Sequence, residues 1–318
     1  SLELERRIEA KLTQEMTAVE SINLGKASRM NDAQGRYIEF CKSSFTNLDL
    51  SGLSILLDCA NGATYSVAPS VFSELGATVD TIGASPDGIN INQNCGSTSP
   101  DFLKEEIAEG DYDIGIAFDG DGDRILVVSS EGTVLDGDDI LYILSKVLSN
   151  ESGVIGTLMT NKALELYFEE QGINFSRADV GDKYVLNALV SNKWELGGEP
   201  SGHIICLDAA PTGDAIIAAL KLLNAIKVND FSLEKSLDGF TRFPQTLINL
   251  KVDDPNKIIL SDQFWSKVTQ IEKTLGDQGR VLIRPSGTEP LIRLMVESTD
   301  TSISENFCNS LAELALEI

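Results

Sequence analysis

GVIGTLMTNKALELYFEEQGINFSRADV, Gly153 to Val180, reads as strand, helix, strand. GVIGTLM is a short apolar run, NKALELYFEEQG carries a helical pattern closed by glycine, and NFSRADV is extended again. The same rhythm lies upstream. LSILLDCA (53–60) leads through a helical stretch to a stop at Gly76 and the strand ATVDTIG; DYDIGIAF and RILVVSS follow, then the helix DGDDILYILSKVL with Asp136 or Asp138 as its N-cap. Downstream come the helix DKYVLNALVSN, the strands WELGG and HIICLD, and a helix after PTGD. Two successive runs of alternating strands and helices predict two α/β/α sandwich domains with mostly parallel sheets.

The final stretch has a different order. FPQTLINLKV, QFWSKVTQIEKTLG, RVLIRPS, LIRLMVE and SISENFCNSLAELALEI read as strand, helix, two strands, helix. That predicts a small α+β C-terminal domain with an antiparallel sheet. At the other end, LERRIEAKLTQEMTAVESI reads as one helix with no partner strand after it. The expected divisions are 1–33, a helical tail of another domain; 34–138 and 139–240, two α/β domains; and 241–318, an α+β domain.

Composition narrows the function. With 49 acidic and 25 basic residues the net charge is −24, which opposes binding to a nucleic-acid backbone. A protein this acidic that handles phosphates must build a local basic pocket, so clustered basic residues carry information. No apolar run approaches the ~20 residues of a membrane span. Five well-separated cysteines without a CxxC pair argue for reduced thiols and a cytoplasmic chain.

FDGDGDR (118–124) sets Asp119, Asp121 and Asp123 at alternate positions between two strands. In an extended segment such positions point the same way, and the glycines let the backbone curl until three carboxylates converge. Three oxygen ligands with room for water and a phosphate suit Mg²⁺. A calcium loop of the EF-hand type fails, because its sixth position is Arg124 and its twelfth Ser130. A solvated acidic turn is the alternative, with Arg124 either an ion-pair partner or a phosphate contact.

GGEPSGH (197–203) joins two strands and places Glu199 and Ser201 in a tight turn, a pair suited to vicinal sugar hydroxyls; a plain hairpin turn is the competing reading. His203 is the one histidine of the chain, and Lys183 stands in the first turn of a helix just past a strand end. Either can be structural, or can serve a phosphate or a proton. RPSGTEPLIR (284–293) is the strongest basic element. Ser286, Gly287 and Thr288 form a turn with donors for a phosphate, flanked by the fork donors of Arg284 and Arg293.

These three loops, in this order, resemble the metal, sugar and phosphate loops of the α-D-phosphohexomutase superfamily over essentially the whole chain. PDGININQNCGSTSP (86–100), RYIEFCKSSF (36–45), VLDGDDILYIL and VGDKYV resemble its bacterial phosphoglucosamine mutase branch. The phosphomannomutase/phosphoglucomutase branch has histidine where Asp182 stands here. The resemblance implies interconversion of glucosamine 6-phosphate and glucosamine 1-phosphate for amino-sugar synthesis, through a phosphoserine and a bisphosphate intermediate. It implies Mg²⁺ on Asp119, Asp121 and Asp123, and sugar hydroxyls on Glu199 and Ser201. The non-reacting phosphate would lie on Arg284, Ser286, Gly287, Thr288 and Arg293, with Arg124, Lys183 and His203 near the transferring phosphoryl group.

No Thr-Ala-Ser-His-Asn-Pro-like serine loop of that family occurs in these residues. The expectation is a fragment, inactive by itself and weak for Mg²⁺, whose partner is a hexosamine phosphate and which is a monomer or homodimer. A phosphomannomutase/phosphoglucomutase or a non-enzymatic sugar-phosphate-binding module are the rival readings.

Overall fold

The computed structural model describes residues 2–16, 18–45, 47–149, 152–285 and 291–318. The chain forms two compact units, residues 1–36 and 37–318. In the first, helix α1 (Leu2–Leu12) is shorter than the sequence pattern predicts. The Thr13 hydroxyl donates back to the Ala10 carbonyl at 3.2 Å and Lys11 Nζ donates to Gln14 Oε1 at 2.9 Å. A side chain that bonds its own backbone competes with helix propagation, and the pattern resumes only as a short turn at Ser21–Asn23. Helix α2 spans Ala33–Ser43.

Past α2, most of which belongs to the second unit, come β1 (Ser54–Asp58), α3 (Ala68–Glu74), β2 (Thr78–Ile82), α4 (Asp101–Glu109), β3 (Ile114–Phe118), β4 (Ile125–Ser129) and β5 (Val134–Leu135). Their sheet has the order β2-β1-β3-β4-β5. Central β3 is IGIAF, apolar throughout and buried at every position, as a strand covered on both faces requires. β1 runs parallel to β2 and β3, whereas β4 and β5 are antiparallel. The sheet is therefore mixed: the short loop between β3 and β4 allows a hairpin but not a parallel crossover, which needs a dozen or more residues.

Next come α5 (Gly137–Ser145), β6 (Gly153–Thr157), α6 (Lys162–Gln171), β7 (Asn174–Ala178), α7 (Asp182–Asn192), β8 (Leu196–Gly198), β9 (Ile204–Cys206), α8 (Ala215–Ile226) and α9 (Leu233–Leu237). The order is β7-β6-β8-β9, with β6 parallel to β7 and β8 and an antiparallel β9 at the edge. Asp136 caps α5 through a reciprocal capping box with Asp139, and Asn161 caps α6. One apolar core joins the two sheets. It runs from Phe72 and Ile116 through Leu141 and Leu144 of α5 to Leu220 and Leu223 of α8.

The chain ends with β10 (Gln245–Lys251), α10 (Pro255–Ile259), α11 (Asp262–Leu275), β11 (Gly279–Pro285), β12 (Leu291–Ser298) and α12 (Thr301–Glu317). The antiparallel sheet β10-β12-β11 has its own core, built from Phe264, Val268 and Ile271 of α11 with Leu311 of α12. Among the described residues no helix is long and apolar enough to cross a membrane.

A polar junction ties this third sheet to the second. Glu297, fully buried, accepts from Arg280 Nε at 2.7 Å, Arg280 Nη2 at 3.1 Å and the Lys162 backbone N–H at 2.9 Å. Arg280 also donates to the carbonyls of Leu158 and Thr160. Arg242 pairs with Asp136 and Asp139, while the Asn161 side chain exchanges two hydrogen bonds with the Phe243 backbone.

Beneath the junction Asp138 Oδ2 accepts from the Asn161 N–H at 2.9 Å, while its Oδ1 is buried without a partner among the described residues. Burial pushes the Asp138 carboxyl up to about 7. Its folded pKa lies above its unfolded value of ~4, so folding takes up a proton and stability falls as pH rises between those values. Asp138→Asn keeps the acceptor and removes the titration. Its melting temperature is expected to match the wild type near pH 4 and exceed it at pH 8; parallel pH dependences for the two proteins would contradict this.

Candidate functional site

The aspartate loop leaves the carboxyl end of β3. Buried Asp119 accepts at Oδ1 from the backbone N–H groups of Gly122, Asp123 and Arg124, each at 3.1 Å, which curls the loop around its own first carboxylate. Gly122 sits at φ +83°, where a Cβ would lie 2.7 Å from Thr64 Cγ2, so this turn needs glycine. One carboxylate oxygen from each of Asp119, Asp121 and Asp123 falls within 4.8 Å of the others. Asp123 Oδ2 bonds His203 Nδ1 at 3.0 Å, leaving Asp123 Oδ1 buried with no hydrogen-bond partner among the described residues. A hard divalent cation fits this set of oxygens and answers the orphaned one.

The second loop docks directly onto the first. Strands β8 and β9 form a hairpin, and its turn is closed by bonds from the Glu199 N–H to the His203 carbonyl and from the Gly202 N–H to the Glu199 carbonyl. Arg124 and His203 pair as an isolated antiparallel bridge, and the Ile125 N–H donates to the Gly202 carbonyl at 3.0 Å. A Cβ on Gly202 would stand 2.1 Å from the Ile125 carbonyl oxygen, and one on Gly137 would stand 1.9 Å from that of Glu199. The hairpin thus meets the end of the aspartate loop at Gly202 and the start of α5 at Gly137 through bare backbone.

His203 is buried, with Nδ1 on Asp123 and Nε2 only 2.3 Å from where a Gly213 Cβ would be. Arg124 is exposed, its Nε 3.8 Å from Asp119 Oδ2 and 3.9 Å from Asp123 Oδ1. Glu199 Oε1 accepts from the Gly181 N–H at 2.9 Å, which brings the hairpin to the start of α7, where Lys183 is exposed without an ion pair among the described residues. Ser201 is exposed at the tip of the turn.

Arg284 on β11 and Arg293 on β12 are register partners, both exposed. Directly opposite residues of an antiparallel pair share a face, and two like charges there are unfavourable unless an anion lies between them. Ser286, Gly287 and Thr288 lie outside the described residues.

The aspartates, Arg124 and His203 come together in one cluster, Glu199 and the α7 start in an adjoining one, and the two arginines on the third sheet. Sequence reasoning missed Tyr37 and Asp214. The Tyr37 hydroxyl donates to both Asp214 oxygens, at 2.9 and 2.8 Å. Only the PTGD helix start hinted at Asp214, as a cap.

The family models for phosphoglucomutase/phosphomannomutase alpha/beta/alpha domain II, alpha/beta/alpha domain III and the C-terminal domain match residues 35–132, 136–243 and 247–314. Phosphoglucosamine mutase of Aeromonas hydrophila is 52% identical over 300 residues, covering 93% of this chain and 68% of that one. The phosphoglucosamine mutase of Legionella pneumophila strain Corby is 48% identical over 320 residues, covering 98% and 70%. Among solved structures, Aspergillus fumigatus N-acetylphosphoglucosamine mutase superimposes with TM-score 0.72 at 18% identity, over 88% of this chain and 70% of that one. A phosphoglucomutase/phosphomannomutase family protein of Burkholderia thailandensis gives 0.73 at 24% identity, over 87% and 62%. The two structures share the fold, and the curated relatives carry the closer kinship: the chain belongs to the phosphoglucosamine mutase family.

Proposed function

We propose that these residues form the metal-, sugar- and phosphate-binding part of a phosphoglucosamine mutase, acting on glucosamine 6-phosphate and glucosamine 1-phosphate. The observation that supports the reading is the dovetailing of the aspartate loop with the Glu199–His203 hairpin, through the Asp123–His203 hydrogen bond and the Arg124–His203 bridge. Identity near one half to phosphoglucosamine mutases supports the amino-sugar substrate.

Asp119, Asp121 and Asp123 would hold Mg²⁺, which when bound neutralises charge on a phosphoryl oxygen. Asp119 spends one oxygen on the loop backbone and Asp123 spends one on His203, so each is oriented by the protein. His203, buried between Asp123 and Gly213, acts as the group that orients Asp123. Arg124 and Lys183 are the exposed cations at this edge and meet the transferring phosphoryl group. Glu199 accepts from, and Ser201 exchanges hydrogen bonds with, the sugar hydroxyls. Arg284 and Arg293 grip the phosphate that does not react.

Phosphoryl transfer relies on positioning and charge, and these residues supply both without the serine donor. A polypeptide limited to residues 1–318 is therefore expected to bind the sugar phosphate and not to convert it. Phosphorus NMR tests this: the glucosamine 6-phosphate resonance should broaden on adding the chain with Mg²⁺, more than that of mannose 6-phosphate, with no glucosamine 1-phosphate appearing. Sustained interconversion, or a preference for the mannose compound, would overturn the reading.

A further inference from the structure

The segment Gly213–Ala215 is wedged between the two halves of the metal site. On one side the Ala215 N–H donates at 3.0 Å to the carbonyl of Gly122, in the middle of the aspartate loop. On the other, Gly213 bridges Ile205 and leaves no room for a Cβ against His203 Nε2. Between them Asp214 caps α8, its Oδ1 accepting from the Ile217 N–H at 3.0 Å. A shift of this segment would move the N–H that holds the Gly122 carbonyl and the wall behind His203 together.

What holds the segment from outside is Tyr37, on α2. Its hydroxyl reaches both oxygens of Asp214, and no other side chain among the described residues does so. Burial, with the Asp214 charge beside it, pushes the phenol above its usual range, so it remains the donor. Tyr37, Thr64, Asp121, Asp123 and Asp214 line one cavity of about 320 Å³ behind the aspartate loop. The tie thus lies on the wall shared with two of the three metal-binding carboxylates.

We infer that Tyr37 is a positioning residue for the metal site: through Asp214 it sets where Gly122 and His203 stand, and so how Asp119, Asp121 and Asp123 converge. The inference rests on the reading of the aspartates as a cation site. Groups that orient a ligand without touching the ion typically change its affinity tenfold or more, and the same is expected here.

The test is Mn²⁺ binding to chain 1–318, followed by electron paramagnetic resonance, with folding monitored by far-ultraviolet circular dichroism. Tyr37→Phe is expected to raise the Mn²⁺ dissociation constant by about tenfold and to alter the spectrum of the bound ion, with the fold unchanged. Asp214→Ser retains an N-cap but is too short to reach the phenol, and is expected to weaken binding similarly; it decides the matter should Tyr37→Phe not fold. The double variant should be no weaker than Asp214→Ser alone, because both remove one link. Wild-type affinity in both single variants, or additive losses in the double, would overturn the inference while leaving the metal site standing. A wild-type chain that binds no Mn²⁺ would overturn both.

Discussion

Replacing Glu297 with alanine is expected to lower the unfolding free energy by about 3–5 kcal/mol, the usual consequence of removing one partner from a buried ion pair. The carboxylate has no exposure and accepts three hydrogen bonds, two from Arg280 and one from the Lys162 backbone. Its loss strands the Arg280 guanidinium at the joint between the second and third sheets, with only the Leu158 and Thr160 carbonyls left among the described residues. Glu297→Gln keeps an acceptor and should lose less. Denaturant unfolding followed by circular dichroism checks both; a loss below about 1 kcal/mol in the alanine variant would mean that the carbonyl contacts suffice.

The second large effect separates the structural and chemical duties of Asp119. Asparagine at this position still presents Oδ1 to the N–H groups of Gly122, Asp123 and Arg124, so the loop should keep its shape. It no longer presents a charged oxygen to the cation. Asp119→Asn is expected to weaken Mg²⁺ binding by at least about 100-fold, beyond the range of groups that only orient a ligand, with little change in stability. Asp119→Ala should lose both, since the three backbone N–H groups that hold the half-buried loop are then left without their acceptor. Calorimetric Mg²⁺ titration and thermal melting of the two variants distinguish these outcomes; equal Mg²⁺ affinity in the wild type and Asp119→Asn would place the ion elsewhere.

Much of this was legible because it is local in the chain. The run from Gly153 to Val180 became β6, α6 and β7 with Asn161 as the cap. The alternate aspartates did converge, since a hairpin loop with two glycines curls as such residues allow. Helix α1 was overread because the apolar and charged pattern past Leu12 carries no record of the Thr13 hydroxyl's bond to the Ala10 carbonyl.

What stayed hidden is non-local. Tyr37 and Asp214 are 177 positions apart, and nothing in RYIEFCKSSF or PTGD indicates that they meet. Glu297 ends the strand run LIRLMVE, and nothing in that run indicates that it is fully buried against Arg280 and the Lys162 backbone. His203 offered a ring that could serve a phosphate, a proton or the structure; its burial against Gly213 and its bond to Asp123 favour a supporting role.

Under the proposed function one surface holds a cation, a sugar and a phosphate at once. The most direct measurement is calorimetric titration of glucosamine 6-phosphate into chain 1–318 with Mg²⁺ present, repeated on Asp119→Asn and Arg293→Ala. Saturable one-to-one binding to the wild type is expected, weakened at least about tenfold in each variant because a charged ligand contact is lost. No binding to the wild type, or binding indifferent to both substitutions, would contradict it.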